Sequence, residues 1–144
     1  MPSKKKLAEE EFEYTYQDLV TAFLVLRVFE DERLPIKAAL RVRRIHRALK
    51  TEVLIFEELR DKIFSDNGAE KAEDGWSLDD EGEVIFATKK GKTRGEKDIE
   101  ELKRQETKVK FVPLEESDIE LARGLDVSSN ILIALEDAQI LKAD

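Results

Sequence analysis

The chain has 144 residues, enough for one ordinary domain with a core of its own. Charged residues make up 40% and hydrophobic residues 41%, the balance of a globular rather than a disordered chain. A formal charge of −8 sets general nucleic-acid binding aside, and the lack of cysteine removes disulfides and thiolate metal sites.

Residues 1–10 read as a mobile charged tail, with residues 11–144 forming a single α+β domain. The run Met1-Pro2-Ser3-Lys4-Lys5-Lys6 leads into Glu9, Glu10 and Glu11 rather than into an apolar signal core. No run of about 18 apolar residues occurs, so the expectation is a soluble, cytoplasmic protein without a membrane partner.

Phe12, Tyr14 and Tyr16 alternate with Glu13 and Thr15, which predicts a short half-buried strand. From Asp18, a first-turn acid or N-cap, Leu19, Val20, Phe23, Leu24, Leu26 and Val28 predict a short apolar helix ending near Asp31. Leu34-Pro35-Ile36 then marks a junction, because proline disfavours helix before itself and suits the first turn after it.

The second helix is expected to run to about Ser65, stopped by Asp66-Asn67-Gly68. Val42, Ile45, Leu49, Val53, Phe56, Leu59 and Ile63 recur at steps of three and four and predict one buried seam. This helix is about twice as long as the one before it, so the second half of its seam needs another partner. Either the C-terminal part of the chain or a second copy would supply one.

Beyond it, Ala69 to Gly75 reads as an acidic loop. Trp76-Ser77-Leu78 starts a hairpin that turns at Asp79-Asp80-Glu81-Gly82 and returns as Val84-Ile85-Phe86-Ala87. Lys89 to Gly95 reads as a mobile basic loop, followed by a short helix around Glu96 to Glu106. Val109, Phe111 and Val112 predict a strand ending at Pro113. After the acidic Glu115, Glu116 and Asp118, Ser128 or Ser129 would cap a last helix carrying Ile131, Leu132, Leu135, Ile140 and Leu141. The expected fold is α+β, a long helical hairpin packed with a small, mainly antiparallel sheet and a C-terminal helix.

Catalytic motifs are missing. Gly91-Lys92-Thr93 looks like the end of a phosphate-binding loop, but Phe86 stands where the first glycine belongs. His46 is the single histidine and has no thiol to activate, so it reads as structural or solvent-facing, and zinc is not expected. Asp79, Asp80, Glu81 and Glu83 lack the alternate spacing of a calcium loop. No cofactor, metal or enzymatic activity is expected. Trp76, Phe64 and Tyr14 read as core aromatics rather than interface anchors.

The candidate binding residues are Arg41, Arg43, Arg44, Arg47 and Lys50 on the long helix. Arg43, Arg47 and Lys50 share a face, and Arg41 and Arg44 form a neighbouring row. Grouped guanidinium forks suit carboxylates or phosphates. The competing expectation is that they pair with this chain's own acidic segments, such as Glu9 to Glu13 or Glu115 to Asp118.

The order of elements resembles a family of small uncharacterised proteins from tailed bacteriophages and prophages. The likeness lies in the short strand and helix, Leu34-Pro35-Ile36-Lys37-Ala38-Ala39-Leu40-Arg41-Val42, the long charged helix and the Asp74-Gly75 loop. It continues through Gly82-Glu83-Val84-Ile85-Phe86, the helix with Glu100, Glu101 and Leu102, and the Val109-to-Leu114 segment. The resemblance implies a phage gene product, virion-associated or directed against a host component, and brings no catalytic residues. The expected function is non-enzymatic binding and modulation of a host protein, of transcription or defence machinery. Two other readings stand beside it: an oligomer that sequesters an anionic signalling nucleotide with Arg41, Arg44 and Arg47, and a virion assembly accessory.

Overall fold

The computed structural model describes residues 8–30, 34–120 and 129–142. It is an α+β fold in the order β1 (Glu10–Thr15), α1 (Tyr16–Glu30), α2 (Ile36–Asp66), β2 (Lys71–Ala72) and β3 (Gly75–Trp76). Then come α3 (Lys89–Arg104), β4 (Glu106–Phe111), α4 (Glu116–Glu120) and α5 (Ser129–Asp137). Contacts divide the chain into two compact units, a finer division than one domain over 11–144. Unit 1 comprises residues 1–53 and 106–144, and unit 2 comprises residues 54–105. Most of the expected mobile tail lies outside the described residues, and Glu10 already belongs to β1.

In unit 1, β1 pairs antiparallel with β4, Glu10 facing Phe111 and Thr15 facing Glu106. The period-2 alternation puts Phe12, Tyr14, Val109 and Phe111 on the core side, where the Phe12 and Phe111 rings stack at 4.5 Å. The outer side carries Glu11, Glu13, Lys108 and Lys110, with Lys108 3.7 Å from Glu11. The strand stops one residue before Tyr16 because the Thr15 hydroxyl accepts the Asp18 N–H and caps α1. Asp18 is thus the first-turn acid and Thr15 the cap.

α1 and the first half of α2 form the expected helical hairpin. Leu19, Ala22, Leu26 and Phe29 of α1 share one buried cluster with Val42, Ile45, Leu49 and Val53 of α2. Burying each of these side chains other than Ala22 stabilises by roughly 1.5–3 kcal/mol before entropy is counted. Two polar links join the same helices: Glu30 lies 2.7 Å from His46 Nδ1, and the Tyr16 hydroxyl donates to Glu52 at 3.3 Å. His46 also meets the Phe23 ring edge-on at 5.0 Å, so it serves the packing of the hairpin.

The C-terminal helix ends earlier than its apolar pattern predicts. After Asp137 the backbone turns left-handed at Gln139, with φ of 63°. Gln139 N–H donates to the Glu136 carbonyl and Ile140 N–H to the Leu135 carbonyl, a Schellman stop. Ile140 and Leu141 are therefore buried beyond the helix, where Leu141 bridges to Leu114 in parallel. The Tyr14 hydroxyl donates to the Ala138 carbonyl at 2.6 Å, and Gln139 Nε2 donates to the Glu13 carbonyl at 3.2 Å, tying this end to β1. Ser128, one of the two expected caps, lies outside the described residues, and Ser129 is the first residue of α5.

In unit 2, Gly68 at φ of 76° ends α2, with Ala69 N–H returning to the Phe64 carbonyl. The stretch expected to be an acidic loop contains the small hairpin β2–β3, Lys71 facing Trp76. The expected hairpin beside it is present as a Leu78–Val84 bridge around the Asp79–Gly82 turn. Phe64 meets Trp76 at 5.4 Å and Phe86 at 6.0 Å, and the Trp76 indole donates to Asp61 at 3.0 Å. The end of α2 thus finds a cover at Phe64 within this chain, and of the late seam Phe56 is buried while Leu59 remains 42% exposed.

The expected basic loop is helical. Thr88 caps α3 by accepting the Gly91 N–H, and the helix runs from Lys89 to Arg104. Gly91 and Gly95 are there for room rather than flexibility. A Cβ on Gly91 would overlap the Asn67 carbonyl oxygen, and one on Gly95 would come within 2.9 Å of the Phe86 ring.

Candidate functional site

The five basic residues of α2 do not form one group. Arg41 Nη1 donates to Asp118 Oδ2 at 2.6 Å, and the two side chains are only 14% and 4% exposed. Asp118 also accepts the Glu115 N–H at 2.8 Å, closing the first turn of α4. Arg41 is thus part of the structure of unit 1 and leaves the candidate set.

Arg43, Arg44, Arg47 and Lys50 are all exposed and pair with no acidic side chain among the described residues. At 100° per residue, Arg43, Arg47 and Lys50 fall within one narrow stripe, and Arg44 borders it. The stripe is about 10 Å long, at a 1.5 Å rise per residue. It continues toward the start of the helix through Leu40 and Ile36, which are 53% and 81% exposed. These two apolar neighbours were missed by sequence reasoning, although the spacing 36, 40, 43, 47, 50 carried the signal. The result is a cationic strip with an apolar end, on the side of α2 opposite the buried Val42, Ile45 and Leu49.

The electrostatics of the strip favour an added anion. Like charges three or four residues apart on a helix repel, costing about 0.2–0.5 kcal/mol per pair. Carboxylates from outside would relieve that repulsion and gain bidentate hydrogen bonds from guanidinium forks.

Elsewhere, ionisable groups are perturbed by structure rather than by chemistry. Burial pushes the Tyr14 phenol well above its ordinary value. Burial first, and then the Glu52 charge, raises Tyr16. On the outer sheet face, a hydrogen bond and charge repulsion from Glu13 raise the Glu106 carboxyl. A cleft of about 320 Å³ between β1, α1 and α5 is lined by Glu13, Asp18 and Asp137 together with Ala22, Val25 and Ala134. Among the described residues no group of three or more His, Asp or Glu side chains is placed to hold a metal ion. None of their helices is long and apolar enough to cross a membrane. Comparison of the chain with protein-family models, with curated proteins and with solved structures finds no match.

Proposed function

We propose that this is a non-catalytic interaction protein that docks an acidic surface of a partner protein on Arg43, Arg44, Arg47 and Lys50. The observation that carries the reading is the contrast within α2. Arg41 finds its carboxylate inside the fold, whereas its four basic neighbours stay exposed and reach no acidic side chain among the described residues of a chain rich in acids. Leu40 and Ile36 supply apolar contact at one end, as interfaces with a buried centre require. Following the phage resemblance, the partner is a host protein of the transcription or defence machinery. A nucleotide site built from Arg41, Arg44 and Arg47 is less well supported, because Arg41 is already engaged by Asp118.

The test is affinity purification of the tagged protein from host cells, followed by mass spectrometry. The wild type should bring down a host protein in stoichiometric amount. The triple variant Arg43→Ala, Arg44→Ala, Arg47→Ala should lose it while keeping its circular dichroism and melting temperature. Undiminished capture by the triple variant rejects this surface.

A further inference from the structure

Unit 2 carries its two signs of charge in separate places. The first nine residues of α3 hold Lys89, Lys90, Lys92, Arg94 and Lys97 with Glu96 as the one acid between them. Lys92 is occupied, 3.7 Å from Glu83 and 4.0 Å from Glu96. Lys89, Lys90, Arg94 and Lys97 are exposed and reach no acidic side chain among the described residues. Lys90, Arg94 and Lys97 are spaced i, i+4 and i+7, and with Thr93 and Asp98 they border an open depression of about 550 Å³.

The hairpin segment before α3 is the converse. From Glu70 to Glu83 it carries seven carboxylates against Lys71 alone. Two of the seven are committed: Asp79 Oδ1 accepts the N–H groups of Glu81 and Glu83, and Glu83 faces Lys92. Glu73, Asp74, Asp80 and Glu81 stand exposed on the two turns, with no cation partner among the described residues. The turns and the start of α3 are each held by local hydrogen bonds, and among the described residues no ion pair joins these acidic turns to Lys90, Arg94 or Lys97.

We propose that the acidic turns of one copy dock on Lys90, Arg94 and Lys97 of a second copy, a head-to-tail contact made through unit 2. A long polyanion is a poorer occupant of the α3 face. The chain's charge of −8 repels it, and the acidic turns lie within the same compact unit. The carboxylates on those turns are a short anion in near-equal number to the free cations. Because donor and acceptor surfaces differ, the contact is heterologous and adds copies in series unless the rotation closes a ring. Each pair is exposed, so the association is weak singly and steep in salt.

The experiment is sedimentation equilibrium of the full chain at low and high salt, about 0.02 M and about 0.5 M, where screening differs severalfold in range. Expected is a weight-average mass that climbs with concentration at low salt and returns to monomer at high salt. The variants Lys90→Glu/Arg94→Glu/Lys97→Glu and Glu73→Lys/Asp74→Lys/Asp80→Lys/Glu81→Lys should each be monomeric at low salt. Mixed in equal amounts, they should associate again, which also shows that both are folded. The Arg43→Ala/Arg44→Ala/Arg47→Ala variant should associate as the wild type does. A wild type that stays monomeric at low salt overturns the proposal. So does association that survives high salt, a mixture of variants that fails to assemble, or loss of association in the α2 variant.

Discussion

Arg41 on α2 and Asp118 on α4, 77 positions apart in the chain, meet at 2.6 Å in a nearly solvent-free contact. Breaking such a pair from one side leaves a charge buried without its counterion. Asp118→Ala should therefore cost about 3 kcal/mol, read as a lower urea midpoint with an unchanged slope. The double replacement Arg41→Met/Asp118→Leu should restore most of that loss, because neither charge then remains to be desolvated. Equal destabilisation in the single and double variants would show that the Glu115 N–H cap or packing, rather than the charge pair, carries the cost.

Tyr14 makes a hydrogen bond that its burial protects. Tyr14→Phe keeps the ring and orphans the Ala138 carbonyl, so a loss of about 1–2 kcal/mol is expected in urea unfolding. The same residue sets an alkaline limit. Its folded pKa is raised above the ordinary 10.0, so the folded state keeps a proton that the unfolded chain releases. The contribution is fully present below about pH 10 and is lost as pH rises, at up to about 1.4 kcal/mol per unit. Stability measured at about pH 9 and about pH 11 should fall less in Tyr14→Phe than in the wild type, leaving the smaller part due to Tyr16.

Gly91 reverses the usual rule for glycine in helices. In an open helix interior, alanine in place of glycine gains about 0.5–1 kcal/mol. Here the added methyl would overlap the Asn67 carbonyl oxygen, and backbone on both sides must move. Gly91→Ala should lower stability by about 1–3 kcal/mol, the range for overpacking. Thr93→Ala, on an exposed turn of the same helix, should be neutral or slightly stabilising. Thermal melts of the two variants side by side give the comparison.

Gln139 holds a left-handed conformation that a side chain disfavours, and its amide compensates by bonding the Glu13 carbonyl. Removing the amide without relieving the backbone is the worst option. Gln139→Ala should be less stable than Gln139→Gly by about 1 kcal/mol, in the same urea assay.

The parts of the fold that were legible in sequence are those with strong local signals. Leu34-Pro35 and Asn67-Gly68 bracket α2 to within a residue or two, and the Phe12-to-Tyr16 alternation marks β1, overrunning its end by one residue. The start of α3 was hidden because two glycines among lysines read as a loop. Only the closeness of Asn67 and Phe86 explains why they sit in a helix. β2, β3 and α4 are too short to establish a period. At the candidate site, helical geometry alone separates Arg41 from the stripe of Arg43, Arg47 and Lys50. That Asp118 would be the group to engage it depends on how α4 packs, which no local pattern encodes.

The pairing of β1 with β4 has a consequence for the order in which the chain matures on the ribosome. Glu10 to Thr15 emerge early but can zip only to Glu106 to Phe111, which follow the whole of unit 2. Residues 54–105 make their contacts among near neighbours in sequence and can close within their own span. The contacts of unit 2 can therefore close while β1 still lacks its partner strand. The outer residues Glu11 and Glu13 of β1 put like charge on its edge, which disfavours pairing between two copies of the same strand.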